Sequence, residues 1–237
     1  MAAAADTKSK PKPTQPMGLA FELEPILFGS RQHLFEAVKK ALSEKDIAVT
    51  RDLFSRYCLH PLLPRALPGL LAAHDKRLSP DKLTAEANRL YRKALLAESS
   101  KPDAAMAALV RQALDAGARL GAVTFLAEDE ARKLAARAGL PESLTIHVCR
   151  ETGHETPRAD CWLRLAKEMG CHARQVVALV SAGSACRSAV IAGMRVIVVP
   201  DTYAEHEDFT GADLVLEESR SLPWTDAAAL LRPCAFR

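Results

Sequence analysis

Apolar residues along this chain fall into two patterns that change at clear points. GLAFELE, residues 18–24, is a short apolar run of strand character, and SRQHLFEAVKKALSEKD behind it sets Leu34, Phe35, Val38 and Leu42 on one helical face. From residue 43 to residue 102 the repeat is three-and-four throughout. AVTRDLFSRYCLH, LPGLLAAHDKRL and DKLTAEANRLYRKALLAE show no strand-like alternation, so this block reads as a separate helical bundle. After residue 103, helices and short apolar runs alternate strictly. Helix DAAMAALVRQALDAG leads to strand RLGAVTFL, helix EDEARKLAARAGL to strand LTIHVC, and helix ADCWLRLAKEMG to strand QVVALV; helix SACRSAVIAGM, strand RVIVVP and a last strand DLVLE complete the series.

Continuous apolar strands alternating with helices predict a parallel sheet covered on both faces. The expected architecture is a doubly wound, Rossmann-like α/β core built from residues 17–42 and 103–237, with residues 43–102 inserted as a helical cap. Residues 1–16 carry Lys, Pro and small polar side chains that bury too little to offset the entropy of ordering, and are expected to form a disordered tail. In such sheets ligands sit beyond the carboxyl ends of the strands, at the point where strand order reverses. The residues singled out by that rule are Glu22 to Pro25, Thr124 to Leu126, Arg150 to Pro157 and Val180 to Gly183.

Composition adds exclusions. Lys and Arg total 32 against 29 Asp and Glu, a balance that gives no reason to expect a nucleic-acid-binding or membrane-binding face. No apolar run approaches the roughly 20 residues needed to span a bilayer, and the opening residues lack the apolar centre of a secretory signal. The six cysteines form no CxxC pair and several lie within apolar segments, which points to a reducing, cytoplasmic setting. Cys149, His154, Cys161, Cys171 and His172 form a loose group whose spacing matches no compact zinc site.

The order of elements, with FELEPILFGS after the first strand and SAGSACRSAVIAGMRVIVVPDTYAEHEDFTGADLVLEES near the end, resembles the haloacid dehalogenase-like (HAD) superfamily. The nearest subgroup carries a helical cap after the first motif, as in phosphoglycolate phosphatase and β-phosphoglucomutase. ETPRADCWLRLAKEMG resembles the family's Lys-Pro-x-Pro-Asp segment and the helix behind it. Gly139, Pro157, Asp160, Gly193, Met194, Gly211 and Asp213 are among the framework residues kept.

The resemblance implies Asp-x-Asp-Gly after the first strand, with the first Asp as nucleophile and the second as acid/base. It also implies a Ser or Thr and a Lys holding the phosphoryl oxygens, and later acids that help bind Mg²⁺. Carried over by position, the nucleophile is Glu22 and the acid/base is Glu24, both degenerate, with Pro25 in place of the Gly. Thr124 matches the hydroxyl position. Thr156 stands at the Lys position, and Val180 and Ser181 replace the acidic motif.

Glu keeps the charge of Asp but displaces the carboxylate by a methylene, and a misplacement of about 1 Å can cost about a hundredfold in rate. Losing nucleophile, acid/base, cation and metal ligands together points to a pseudoenzyme whose Glu22 and Glu24 carry no catalysis. It would need no cofactor and bind through Thr124, Thr156 and Ser181. Its expected partners are a protein, a second copy of itself or a small phosphorylated ligand. The alternatives are a divergent Mg²⁺-dependent phosphatase or phosphotransferase with Glu22 as nucleophile, and a structural subunit of a larger assembly. His147 and His154 flank the expected cleft by position, and Arg150 and Arg158 are the nearby cations for the missing Lys.

Overall fold

The structure is a computed structural model of the chain that describes residues 16–59, 63–74, 76–149, 157–216 and 222–232. Apart from residue 16, the segment expected to be a tail lies outside them.

Six strands form one parallel sheet: β1 (Gly18–Glu22), β2 (Arg119–Thr124), β3 (Thr145–Val148), β4 (Val176–Val180), β5 (Arg195–Val198) and β6 (Leu214–Val215). Their order is β3-β2-β1-β4-β5-β6, so the chain winds outward in both directions from β1. The switch point therefore lies between β1 and its two neighbours, β2 and β4.

Side chains alternate along each buried strand. Leu19 and Phe21 of β1, Leu120 and Ala122 of β2, and Val177 and Leu179 of β4 point into one core; Ala20, Val123, Val176, Ala178 and Val180 point into another. The first core is covered by α1 (Leu23–Phe28), α6 (Ala104–Asp115), α7 (Glu128–Arg137) and α10 (Trp224–Ala229). The second is covered by α8 (Ala159–Glu168) and α9 (Gly183–Ile191), with Trp162 of α8 fully buried and its indole N–H donating to Ser188 Oγ at 2.9 Å. Gly121 lies where α8 crosses β2, and a Cβ there would force the Met169 and Leu165 side chains to shift.

Between β1 and β2 the chain builds a helical body from α2 (Ser30–Ser43), α3 (Arg51–Tyr57), α4 (Leu63–Ala72) and α5 (Pro80–Leu96). Leu34, Val38, Ala41 and Leu42 of α2 share one apolar cluster with Phe54, Leu63, Leu67, Leu70, Leu83 and Ala87. By packing, this body therefore starts at α2, not at residue 43 as the sequence pattern suggests. The amphipathic face of α2 has no sheet to cover and finds its partners in the insert.

The first strand also stops sooner than the apolar run suggests. Leu23 opens α1, and Pro25 is its third residue, within the first turn, where a backbone N–H has no helical acceptor to lose. Gly29, at φ +52°, ends α1 and begins α2, a left-handed geometry suited to glycine. The returning chain meets the departing one: Asp103 N–H donates to Leu27 O at 2.6 Å, and the Asp103 carboxylate caps α6 through Met106 N–H at 2.8 Å.

Among the described residues no helix is long and apolar enough to cross a membrane.

Candidate functional site

Because β1, β2 and β4 are adjacent and parallel, their carboxyl ends bring Glu22, Thr124 and Ser181 to one edge beneath the helical body. A cavity of about 100 Å³ opens there, lined from the sheet by Glu22, Glu24, Phe125 and Ala182 and from the helical body by Arg31, Asn88, Tyr91 and Arg92.

The floor of this cleft is closed by the protein's own carboxylates. Glu24 Oε1 accepts from Thr124 Oγ–H at 2.6 Å, Phe125 N–H at 3.2 Å and Leu126 N–H at 3.3 Å. Glu22 Oε2 accepts from both the N–H and the Oγ–H of Ser181 at 2.7 Å. Glu207 Oε2 takes Gly183 N–H, at the start of α9, at 2.7 Å. Four backbone amides and two hydroxyls that lie at strand ends and a helix start are thus already bonded to the protein's own carboxyl groups.

Arg31 completes the network. Its Nη1 donates to Asp201 Oδ2 at 2.7 Å and Ser181 O at 3.2 Å, and its Nη2 donates to Ser181 Oγ at 3.0 Å. Ser181 Oγ therefore accepts from a cation and donates to Glu22, which links a buried positive charge to a buried carboxyl through one hydroxyl. Burial pushes the Glu22 carboxyl above its ordinary value; the Arg31 charge and the Ser181 hydrogen bonds pull in the opposite direction without overcoming it. Glu24 is likewise raised by burial, against the pull of Thr124 and the backbone amides.

This arrangement of elements recurs in solved structures. A mutant of CbbY from Rhodobacter sphaeroides, in complex with xylulose-1,5-bisphosphate, superposes with a TM-score of 0.70 at 22% identity, over 85% of this chain and 93% of its own. β-Phosphoglucomutase from Clostridium difficile gives 0.71 at 14% identity over 91% and 97%. A HAD family hydrolase from Deinococcus radiodurans R1, with bound phosphate and sodium, gives 0.71 at 19% over 93% and 100%. The chain has the haloacid dehalogenase-like fold. No protein-family model matches its sequence, and no curated protein does.

The HAD-like fold accounts for the helical insert after β1 and for the cleft beneath it. The Mg²⁺ that the resemblance implies does not suit the residues at this edge. Hard cations take about six oxygen ligands, and here β4 ends in Val180 and is followed by Ser181, neither of which offers a carboxylate. Asp201, after β5, spends its Oδ2 on Arg31, and the fixed guanidinium beside Glu22 would repel a second cation. Among the described residues no group of three His, Cys, Asp or Glu is arranged to hold a metal ion.

Of the residues singled out from the sequence, Glu22, Glu24, Thr124 and Ser181 meet in this cleft, and Thr156 lies outside the described residues. His147 instead pairs with Glu168 of α8, Nδ1 to Oε1 at 3.3 Å. Arg158 is exposed and lies 3.6 Å from Asp160, while Arg150 and His154 fall outside the described residues. Among the described residues the cations that line the cleft are Arg31 and Arg92 and not Arg158, which corrects the expectation for Arg158.

Sequence reasoning missed Arg31, Asp201 and Glu207. Arg31 had a signal, since it continues the 34-38-42 face of α2 one turn earlier, a charged residue on an apolar stripe. Asp201 had one too, because it follows β5 at the same sheet edge.

Proposed function

We propose that this chain is a HAD-like pseudoenzyme that works by binding a protein partner and not by phosphoryl transfer. The observation that carries the proposal is the placement of the Glu24 carboxylate on Thr124 Oγ–H, Phe125 N–H and Leu126 N–H. The resemblance gives the hydroxyl at this position the task of holding phosphoryl oxygens; here a carboxylate of the protein holds it. Glu22, the position of the nucleophile, has an oxygen committed to two hydrogen bonds from Ser181. Arg31 adds a permanent positive charge in place of an exchangeable ion. An anionic substrate entering the cleft would have to displace the buried Glu24 from three hydrogen bonds, an unfavourable exchange.

The neighbours with bound phosphate or a sugar bisphosphate favour the other reading, a divergent phosphatase with Glu22 as nucleophile. It requires Glu22 to give up Ser181 and to attack without a fitted metal.

Two measurements separate these readings. Purified protein incubated with aryl and sugar phosphates should release phosphate at the rate of the buffer blank, and Glu22→Gln should change nothing. A rate above blank that falls in Glu22→Gln would overturn the proposal. In calorimetry, inorganic phosphate should give no heat with the native protein and should bind in the millimolar range to Glu24→Ala, whose three donors are released. Phosphate binding to the native protein at least as tight as to Glu24→Ala would remove the observation on which the proposal stands.

A further inference from the structure

The helical body joins the core through two linkers that lie side by side: Gly29, at φ +52°, and the segment after α5, where Asp103 N–H donates to Leu27 O. Two adjacent linkers make a hinge about which a packed unit can swing. Arg137 of α7 holds the second linker at its start, donating to the carbonyls of Leu95, Leu96 and Ala97 at 2.9, 3.0 and 2.9 Å.

Resistance to a swing comes from the other side of β1. The segment after β5 leaves the core and puts Tyr203 into the apolar cluster of the helical body, whose other buried members all lie between Leu34 and Ala87. Tyr203 is 6% exposed, and its ring centroid lies 5.1 Å from that of Phe54 and 5.5 Å from that of Phe35. Its hydroxyl donates to Gln32 Oε1 at 2.6 Å, and the Arg51 guanidinium sits over the ring, 6.0 Å from the centroid. Asp201 fixes the turn that presents the ring: Oδ1 accepts from Tyr203 N–H at 3.0 Å while Oδ2 holds Arg31 of α2 at 2.7 Å.

Tyr203 belongs to no helix or strand, so its burial acts on the junction and not on an element of the core. Opening the junction would pull the ring from an apolar pocket, break its hydroxyl bond and leave a void between Phe35 and Phe54. On the β2–β3 side the body meets α7 through the pair Arg92–Glu130, and Arg92 is 40% exposed, so that contact resists less.

We propose that Tyr203 is a latch that holds the helical body shut on the sheet edge, so that entry to the cleft requires withdrawal of this one aromatic side chain. The proposal goes beyond the pseudoenzyme reading and stands whether or not the cleft does chemistry.

The test is a distance measured by pulsed electron paramagnetic resonance between spin labels at Lys82→Cys on α5 and Lys133→Cys on α7, both exposed positions. Cys234→Ser removes one native thiol, and the other five are buried and slow to label. Lys82 lies roughly 20 Å along α5 from the linker, so a swing of about 20° carries it about 7 Å. Native protein should give one narrow distance, and Tyr203→Ala should add a second, longer one. Glu130→Gln, which weakens the contact on the other side, should keep the native distance. Two distances in the native protein overturn the proposal, and so does opening in Glu130→Gln equal to that in Tyr203→Ala. An unchanged distance in a Tyr203→Ala protein with native circular dichroism overturns it as well. If that variant does not fold, Tyr203→Leu, which fills the pocket without ring or hydroxyl, decides on the same readout.

Discussion

The cleft and the α8–α9 face invert the usual rule of polar outside and apolar inside. Beneath the helical body, Glu22, Glu24, Arg31, Thr124 and Ser181 are all buried, whereas Leu163 and Ile191 on the opposite flank of α8 and α9 face water. The first departure is tolerated because the carboxyls, hydroxyls and guanidinium bond to one another. The second has no such compensation within the molecule. The buried network bonds most of its groups to one another and leaves Arg31 Nε without a partner among the described residues, while Leu163 and Ile191 stand in water.

The comparison can be broken first at Arg31. Arg31→Ala removes a cation that is 6% exposed and leaves Ser181, Asp201 and Glu22 without it. Removing one partner from a buried charged network costs about 3–5 kcal/mol, which urea denaturation will read directly. A loss below about 1 kcal/mol would mean the guanidinium is a bystander of the kind seen in exposed pairs.

The two carboxyls supply a second, smaller effect, in pH. Both start from 4.5 and are raised in the folded protein. As pH climbs above 4.5 the unfolded chain releases these protons while the native state keeps them, so the native state binds more protons and stability falls with rising pH until the folded values are passed. Native protein should therefore lose stability relative to a Glu24→Gln variant as pH rises above about 4.5. Parallel stability curves for the two proteins would show that Glu24 titrates as it would in water.

The smallest effect belongs to the α8–α9 face. Ile191→Ser should shift stability by no more than about 0.5 kcal/mol, because a side chain already in water has little burial to lose. A large loss would mean that Ile191 packs within its own molecule.

Much of this fold was legible from the chain. The sheet announced itself because parallel strands buried on both faces must be continuously apolar, as QVVALV and RVIVVP are. Glu22, Thr124 and Ser181 came out together because a strand's last residue fixes its place at the sheet edge. What stayed hidden depends on partners distant in sequence. The membership of α2 in the helical body is decided by Leu83 and Ala87, some 40 to 50 residues away, and not by its own periodicity. The role of Arg31 arises from Ser181 and Asp201, 150 and 170 residues on. Glu24 was placed in the site by the resemblance, but its capture of the Thr124 loop needed the turn from strand to helix at Leu23, which an apolar run with Pro25 does not disclose.

The hydrogen bond from Asp103 N–H to Leu27 O has a bearing on how the molecule comes together in time. β1 cannot pair with β2 until the stretch between these two residues, 103 − 27 = 76 positions, has been drawn into a loop. For a flexible chain of that length closure opposes pairing by about 4 kcal/mol beyond a constant, from three-halves RT times the logarithm of the length. A helical body that condenses first, on contacts mostly local to residues 30–96, replaces that floppy loop with a folded unit whose ends already lie side by side. Mutations in the Leu67–Leu70 cluster, remote from every strand, should then slow the rate at which the sheet forms as well as loosening the helices.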